Sequence, residues 1–461
     1  MDSTLACLAA WMPRQRWYAS KGRTPALRLA ATWDMPTADA DADADADARA
    51  RTLLVWDESS LPPVLYQIPV VARSTETVDA PIDHIIGSPE PGTTLIDGPF
   101  DRSYTAALLR LVTEGGRGVG AHARATGRPA AYAPTVGDDL PANVLVGEQS
   151  NTSMIYRAPN GGSPVICKIY RQLHAGSNPD IELQTALAEA GSPYVPRAVG
   201  HVDGEWPDAS AHATASGSLA FAQEFLDGVD DAWRVALRAA AAGEDFTERA
   251  WALGVATADV HASLATLFPV APTTSADRAA IAAGWRGRLS TAIAEIPGLG
   301  DRRSAIEAVY DRALTHDWPD QQRIHGDFHL GQVILAPDRG WVLLDFEGEP
   351  MRPIAERVRP DLALRDVAGM LRSFDYVAGS IRLDQPDRSR ESVRSWARSA
   401  RVAFLGGFAE ASGTDLATVG PLLDALELDK AVYEAIYEAR NRPTWITIPL
   451  RAIARLSDPT R

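Results

Sequence analysis

His325-Gly326-Asp327-Phe328-His329-Leu330-Gly331-Gln332, followed after an apolar stretch by Asp345-Phe346-Glu347-Gly348-Glu349, is the segment whose reading decides the fold. Asp327 sits in a polar loop between apolar runs, and Asp345 ends the apolar strand expected at 341–344. Moving a phosphoryl group onto a hydroxyl needs a carboxylate that takes the hydroxyl proton and aims the oxygen. It also needs oxygen ligands for the magnesium that bridges the phosphates. Asp327 fits the first need. Gln332 offers an amide oxygen and Asp345 a charged oxygen to a hard cation, with Glu347 as a third ligand.

Two other readings compete for the same residues. His325 and His329 have the i, i+4 spacing of a helical zinc pair, but Gly326 and Gly331 favour a loop, and no cysteine lies nearby to complete a site. The residue order is also specific enough to prefer catalysis over a buried polar network. His325 is read as a residue that fixes the loop, whereas His329 stays open and is grouped with the acceptor contacts.

Outward from this segment the chain divides by pattern. Residues 27–33, 51–56 and 63–71 read as strands of a small sheet. Residues 39–48 alternate Asp and Ala. Like charges on every second residue repel, so this stretch reads as a solvated loop. Residues 103–113 have helical spacing, and 126–134 read as a Gly/Pro/Ala-rich connector. A second sheet begins with strands at 143–148, 153–158 and 164–170, the last two joined by Asn160-Gly161-Gly162. Asn178 and Pro179 open a helix, and 219–226 is a further strand. Helical spacing dominates from there: 247–267, 276–296, 302–314, 364–379, 388–412 and 415–440. A small sheet with one helix, a hinge, and a helical part enclosing two catalytic strands is a kinase layout.

At 461 residues the chain exceeds what one core supports, and two or three subdomains are expected. With 46% hydrophobic and 23% charged residues spread along it, the composition is that of a globular protein. A formal net charge of -15 disfavours nucleic acid and anionic lipid as partners. Cys7 and Cys167 are far apart and suggest no disulfide framework, so a cytoplasmic location is expected. No export signal, membrane-spanning run or solenoid repeat is read, and a monomer or weak dimer is expected.

The His325–Gln332 segment resembles the catalytic motif of aminoglycoside phosphotransferase-like kinases, with Gln332 where Asn is more usual. Its continuation to Asp345-Phe346-Glu347-Gly348-Glu349-Pro350 resembles the maltokinase-like branch. So do Arg14-Gln15-Arg16-Trp17-Tyr18-Ala19-Ser20-Lys21 and the stretch from Lys430 through Tyr433-Glu434, Tyr437-Glu438 and Asn441 to Trp445. The resemblance implies an α+β class: a eukaryotic protein kinase-like bilobal fold with an additional N-terminal cap subdomain. The expected division is a cap at 1–90, a nucleotide-binding lobe at 91–224 and a mostly helical lobe at 225–461. ATP and magnesium are the implied cofactors.

The same resemblance pairs Lys168, on the strand at 164–170, with Glu182 on the next helix, the pair holding the α- and β-phosphates. The turn Gly147-Glu148-Gln149-Ser150-Asn151-Thr152-Ser153 lacks a glycine-rich loop but resembles a maltokinase-like turn. It offers Ser150, Asn151 and Thr152 to phosphate. Gln223, Glu224 and Leu226 stand at the sheet-to-helix switch, where the backbone would bond the adenine edge.

For the acceptor, Tyr433, Glu434, Tyr437, Glu438 and Asn441 share a helical stripe, and Trp445 follows it. Carboxylates and aromatic rings together suit a sugar. Glu434, Tyr437, Glu438 and Trp445, with His329, are therefore the substrate candidates. A surface helix with a Glu438–Arg442 pair is the alternative. Asp366 resembles the helix aspartate that braces the catalytic loop in kinase-like folds. Glucosamine, phosphorylated at its 6-hydroxyl, is preferred as acceptor to maltose, phosphorylated at its anomeric hydroxyl. An aminoglycoside phosphotransferase or a non-catalytic kinase-like binding module ranks below both.

Overall fold

Short turns between strands leave each strand its sequence neighbour to pair with, which favours antiparallel sheets. The computed structural model describes residues 3–36, 48–131, 133, 136, 140–145, 150–157, 163–209, 213–349, 352–385, 387 and 389–458. In it, Leu27–Asp34, Arg49–Asp57 and Val64–Ser74 pair in that order, and Thr93–Asp97 and Ile85–Glu90 extend the sheet. Residues 39–47 of the Asp/Ala stretch, Gly147-Glu148-Gln149 of the expected phosphate turn, and Asn160-Gly161-Gly162 lie outside the described residues.

The chain separates into two compact units, Met1–Glu189 with Pro196–Asp227, and Ala190–Val195 with Gly228–Arg461. The first holds the sheet above and a second antiparallel one. The second sheet runs Gly116–Val119, Arg124–Pro129, Ala198–Pro207, Thr214–Glu224, Val165–Tyr170, Asn151–Tyr156, Ala142–Val144. The stretch expected as a connector at 126–134 thus begins as a strand paired to Ala198–Pro207. Gly127 explains why its composition misleads, because a Cβ there would stand 1.8 Å from the Leu111 carbonyl oxygen of the helix Arg102–Glu114. Glycine is the side chain that this close strand-helix approach allows.

One buried cation joins the two sheets. Arg171, fully buried, donates to both Asp97 oxygens (3.0 and 2.8 Å) and to Thr152 Oγ1 (2.8 Å), and its guanidinium lies 4.8 Å from the Trp17 ring centroid. Gln67, in the first sheet, donates to the carbonyls of Tyr170 (3.1 Å) and Leu219 (2.9 Å) in the second. The segment 14–21 is part of this bracing. Its Trp17 and Tyr18 are buried with Leu8, Trp11 and Tyr66, and Tyr18 donates to Asp57 at 2.7 Å.

The second unit is helical, with aromatic packing of Phe246, Phe374, Trp396 and Phe404 at centroid distances of 5.5–6.5 Å. A hairpin, Val333–Ala336 with Gly340–Leu343, carries the segment before Asp345. Residues 190–195 hold it: Leu343 N donates to Tyr194 O at 2.7 Å, and Arg339 donates to the carbonyls of Pro193 and Val195 at 3.0 and 2.6 Å. No helix among the described residues is long and apolar enough to cross a membrane.

Candidate active site

Asp366 organises the catalytic loop from the helix Leu364–Asp384. Its buried carboxylate accepts from His325 N (2.9 Å), Gly326 N (2.9 Å) and His261 Nε2 (2.8 Å). Burial disfavours its charge. The His261 and His325 interactions and the backbone donor outweigh that cost and hold the group below its ordinary range. Gly326 has φ +84°, which glycine adopts without the usual steric cost, and a Cβ there would come 3.2 Å from Gly348 Cα.

His325 faces inward. Its Nε2 donates to Leu344 O at 2.9 Å, its Nδ1 receives Asp327 N at 3.4 Å, and its ring lies between Phe328 and Phe346. With both ring nitrogens engaged by backbone, the side chain ties the loop to the end of the hairpin. His329 instead turns on its own loop, with Nδ1 accepting from Gly331 N at 3.0 Å. Burial first, and the Lys430 and His325 charges after it, lower its pKa against the opposing pull of Asp327.

The Asp327 carboxylate is 22% exposed and lies 3.7 Å from Lys430 Nζ. Lys430 also donates to Glu349 at 2.6 Å and sits 5.3 Å from the Tyr433 ring centroid. Burial opposes charge on both partners, but the pairing prevails. Glu349 is pulled down to about 2 by Lys430 and Arg365, and Lys430 is raised by Glu349 and Asp327. These groups open on a small cavity whose lining also includes Arg288, Arg365, Asp366 and Asp429. Arg288 grips Asp429 through two bonds, 2.8 and 2.9 Å.

Gln332 and Asp345 come together, Gln332 Nε2 donating to Asp345 Oδ2 at 3.0 Å, and Leu344 N donates to Gln332 O at 2.8 Å. Asp345 has φ +63°, a left-handed conformation that costs a non-glycine residue about 1 kcal/mol or more and concentrates at functional sites. Glu347 is half-buried two residues on. An amide and two carboxylates are an oxygen donor set suited to magnesium.

In the first unit, Lys168 lies 3.6 Å from Asp180. Asn178 Oδ1 accepts from Asp180 N at 2.8 Å and starts the helix Pro179–Glu189 there. The buried face consequently carries Asp180, Leu183, Gln184 and Leu187. Glu182, expected as the lysine's partner, is half-buried and stands about 200° round the helix from Asp180. Ser150 is exposed and Asn151 half-buried, whereas Thr152 is buried with its hydroxyl accepting from Arg171, which turns it from the phosphate role expected of it. Gln223 accepts from Gln184, Glu224 N donates to Arg197 O at 2.8 Å, and Leu226 is half-buried past the strand end.

The expected acceptor stripe is spent on ion pairs. Glu434 takes two bonds from Arg372 (2.9 and 2.7 Å), and Glu438 takes Arg442 and the Tyr376 hydroxyl. Trp445 stacks near Tyr376, and Tyr437 is 45% exposed with Arg442 over its ring. Glu434, Tyr437, Glu438 and Trp445 do not line the Asp327 cavity; Asp429, Lys430 and Tyr433 of the same helix do. Asp180, Glu349, Asp429 and Lys430 were not assigned roles from sequence. The available signal was Lys430, four residues before Glu434 and on the same helix face, a cation in an otherwise acidic and aromatic stripe.

Comparison with known proteins agrees with this geometry. The maltokinase N-terminal cap domain matches residues 11–101, and the phosphotransferase enzyme family matches residues 143–418. A glucosamine kinase of Streptacidiphilus jiangxiensis is 30% identical over 328 residues, covering 68% of this chain and 70% of that protein. One of Mycolicibacterium smegmatis is 30% identical over 330 residues, covering 68% and 78%. A solved glucosamine kinase in complex with glucosamine, ADP and inorganic phosphate shares the fold, with TM-score 0.67 and 23% identity over 98% of both chains. A catalytic loop braced by Asp366, a hairpin ending in Asp345, and these matches together place the chain in the phosphotransferase enzyme family, with a maltokinase-type cap at its N-terminus.

Proposed function

We propose that this protein is an ATP-dependent glucosamine kinase that transfers the γ-phosphate to the sugar's 6-hydroxyl. The observation that carries the acceptor is the pair of glucosamine kinases at 30% identity, of whose lengths this chain covers 70% and 78%. The Asp327 cavity supports it. Four carboxylates (Asp327, Glu349, Asp366, Asp429) there face three cations (Arg288, Arg365, Lys430), and one negative charge in excess suits a protonated amine better than a neutral sugar.

Asp327 is the group that accepts the hydroxyl proton and orients the attacking oxygen. Lys430, 3.7 Å from it, helps to hold that carboxylate in place. Asp366 and His325 fix the loop so that orientation is settled before substrate arrives. Lys168, held by Asp180, takes the α- and β-phosphates, with Ser150 and Asn151 as further donors and the backbone at 223–226 for the adenine edge. Gln332, Asp345 and Glu347 would hold magnesium, which neutralises charge on the phosphates when bound. A supply of ATP and two cysteines without a disulfide fit a cytoplasmic protein.

An assay of ADP release with glucosamine, glucose, maltose and kanamycin decides the acceptor. Glucosamine is expected to give the highest kcat/KM, by about tenfold or more, since one charged contact is worth at least about 1.4 kcal/mol. Maltose turned over as well or better would replace this reading with a maltokinase, which the cap match keeps in view.

A further inference from the structure

The second unit contains a larger cavity, about 590 Å³, whose lining shares no residue with the Asp327 cavity. It lies among the helices Leu364–Asp384, Arg390–Ser412 and Thr447–Leu456. Its lining is mostly of two kinds, with one carboxylate, Asp375, which Arg401 and Arg455 approach at 3.5 and 2.8 Å. Ala378, Ala397 and Ile448 give buried apolar surface. Arg382, Arg394, Arg398, Arg401, Arg451 and Arg455 give guanidinium groups.

These arginines are not equally paired. Arg401 and Arg455 bind Glu427 at 2.8 Å, and Arg455 also binds Asp375. Among the described residues, no carboxylate lies within ion-pair distance of Arg382, Arg394, Arg398 or Arg451. Like charges at i, i+4 destabilise a helix. Arg390, Arg394 and Arg398 incur that cost in sequence along one helix. Burial and the neighbouring guanidiniums lower the pKa of Arg382 and of Arg451. In a chain of net charge -15, these arginines make a local concentration of positive charge that would attract an anion.

The cavity has the size of small-molecule sites. Guanidinium forks pair with phosphate oxygens through two parallel bonds, and an apolar floor takes a hydrocarbon or aromatic body. We propose that this cavity binds an organic phosphate, its phosphate held by Arg394, Arg398 and Arg451 and its apolar portion resting on Ala378, Ala397 and Ile448.

The test uses the full chain, with a non-hydrolysable ATP analogue saturating the nucleotide site, and calorimetric titration of 1-naphthyl phosphate, 1-naphthoate and inorganic tripolyphosphate. Saturable binding of 1-naphthyl phosphate is expected, at least tenfold tighter than 1-naphthoate and weakening with salt. Two variants approach the site differently. Arg394→Gln with Arg451→Gln removes unpaired cations, and Val402→Asp, at a lining residue 65% exposed, adds a repelling carboxylate. Each is expected to raise the Kd at least tenfold, with glucosamine phosphorylation unchanged and the unfolding temperature equal or higher. No saturable binding, or an unchanged Kd in both variants, overturns the site. Naphthoate binding as tightly as the phosphate, or tripolyphosphate binding without 1-naphthyl phosphate, overturns the ligand class.

Discussion

The helix Leu416–Asn441 carries two sets of charged residues that look alike in sequence and serve different ends. Glu427, Glu434 and Glu438 form a closed set. Glu427 and Glu438 are buried and Glu434 is half-buried, and each carboxylate is taken by arginine: Arg401 and Arg455, Arg442, and Arg372. Asp429 and Lys430 line the Asp327 cavity; Arg288 already takes both Asp429 oxygens, and the open set is Lys430 with the Glu349 and Asp327 carboxylates between which it divides its charge. The closed set joins helices. The open set leaves charge accessible to a substrate. Spacing along a helix tells which residues share a face, whereas the supply of opposite charge from other helices decides which of them are left to act.

The largest way to sharpen the contrast is Asp327→Asn. It removes the proton acceptor and keeps the shape of the loop, whose bonds run through Asp366 and His325. A fall in kcat of about a thousandfold is expected, about 4 kcal/mol in the barrier, with little change in unfolding temperature. Steady-state kinetics beside a thermal unfolding scan read both, and near-normal turnover would remove Asp327 from the role of base.

The closed set breaks in the opposite manner. Glu434→Ala takes from Arg372, 1% exposed, two of its three carboxylate bonds and leaves only Asp375 at 2.7 Å, which should cost stability of about 2 kcal/mol. KM for glucosamine in the folded protein should stay close to the wild type. A KM raised tenfold with stability unchanged would return Glu434 to the acceptor site. Arg372→Met with Glu434→Leu should recover much of the lost stability, which separates a buried charge from a missing contact.

Lys430→Met tests the open set at an intermediate size. It frees Asp327 and Glu349 from their shared cation, and kcat/KM is expected to fall about thirtyfold, about 2 kcal/mol. Stability should change less than in Glu434→Ala, since Glu349 is also near Arg365 and Arg352. Loss of stability with unchanged kcat/KM would transfer Lys430 to the closed set.

Most of the fold was legible because its periods are strong. The helix at 247–267 has the expected bounds, and those containing Asp366 and Tyr433 were displaced by a few residues at their ends. The strand at 124–129 was hidden by Gly127 and Pro129, whose composition signals a loop until the close approach to Leu111 is known. In the site, Asp327, Gln332 and Asp345 stand in one local stretch, and a linear motif conveys such a stretch well. Asp180, 3.6 Å from Lys168, was not legible beside Glu182 because its place depends on where Asn178 starts the helix. Thr152 and Glu434 were misplaced for a single reason: Arg171 and Arg372 reach them from elements far away in sequence.

The smallest effect concerns pH. Glu427 is buried, which alone would raise its pKa, but Arg401, Arg455 and Arg372 outweigh burial and hold it below its ordinary value of 4.5. A carboxylate depressed in the folded state stabilises the fold fully above its unfolded pKa, near 4.5, and loses that contribution as pH falls toward the folded value. Glu427→Gln removes the ionisable group. Its cost at pH 7 should be modest, about 1 kcal/mol, because Asp375 remains within 3.5 Å of Arg401 and 2.8 Å of Arg455 to share their charge. Wild type and variant should therefore differ at pH 7 and 5 and converge in urea unfolding as pH falls below about 4.5, the wild type losing what the variant already lacks. A difference that stays constant down to pH 3 would mean that Glu427 contributes through shape and hydrogen bonding alone, and would remove charge from the account of the closed set.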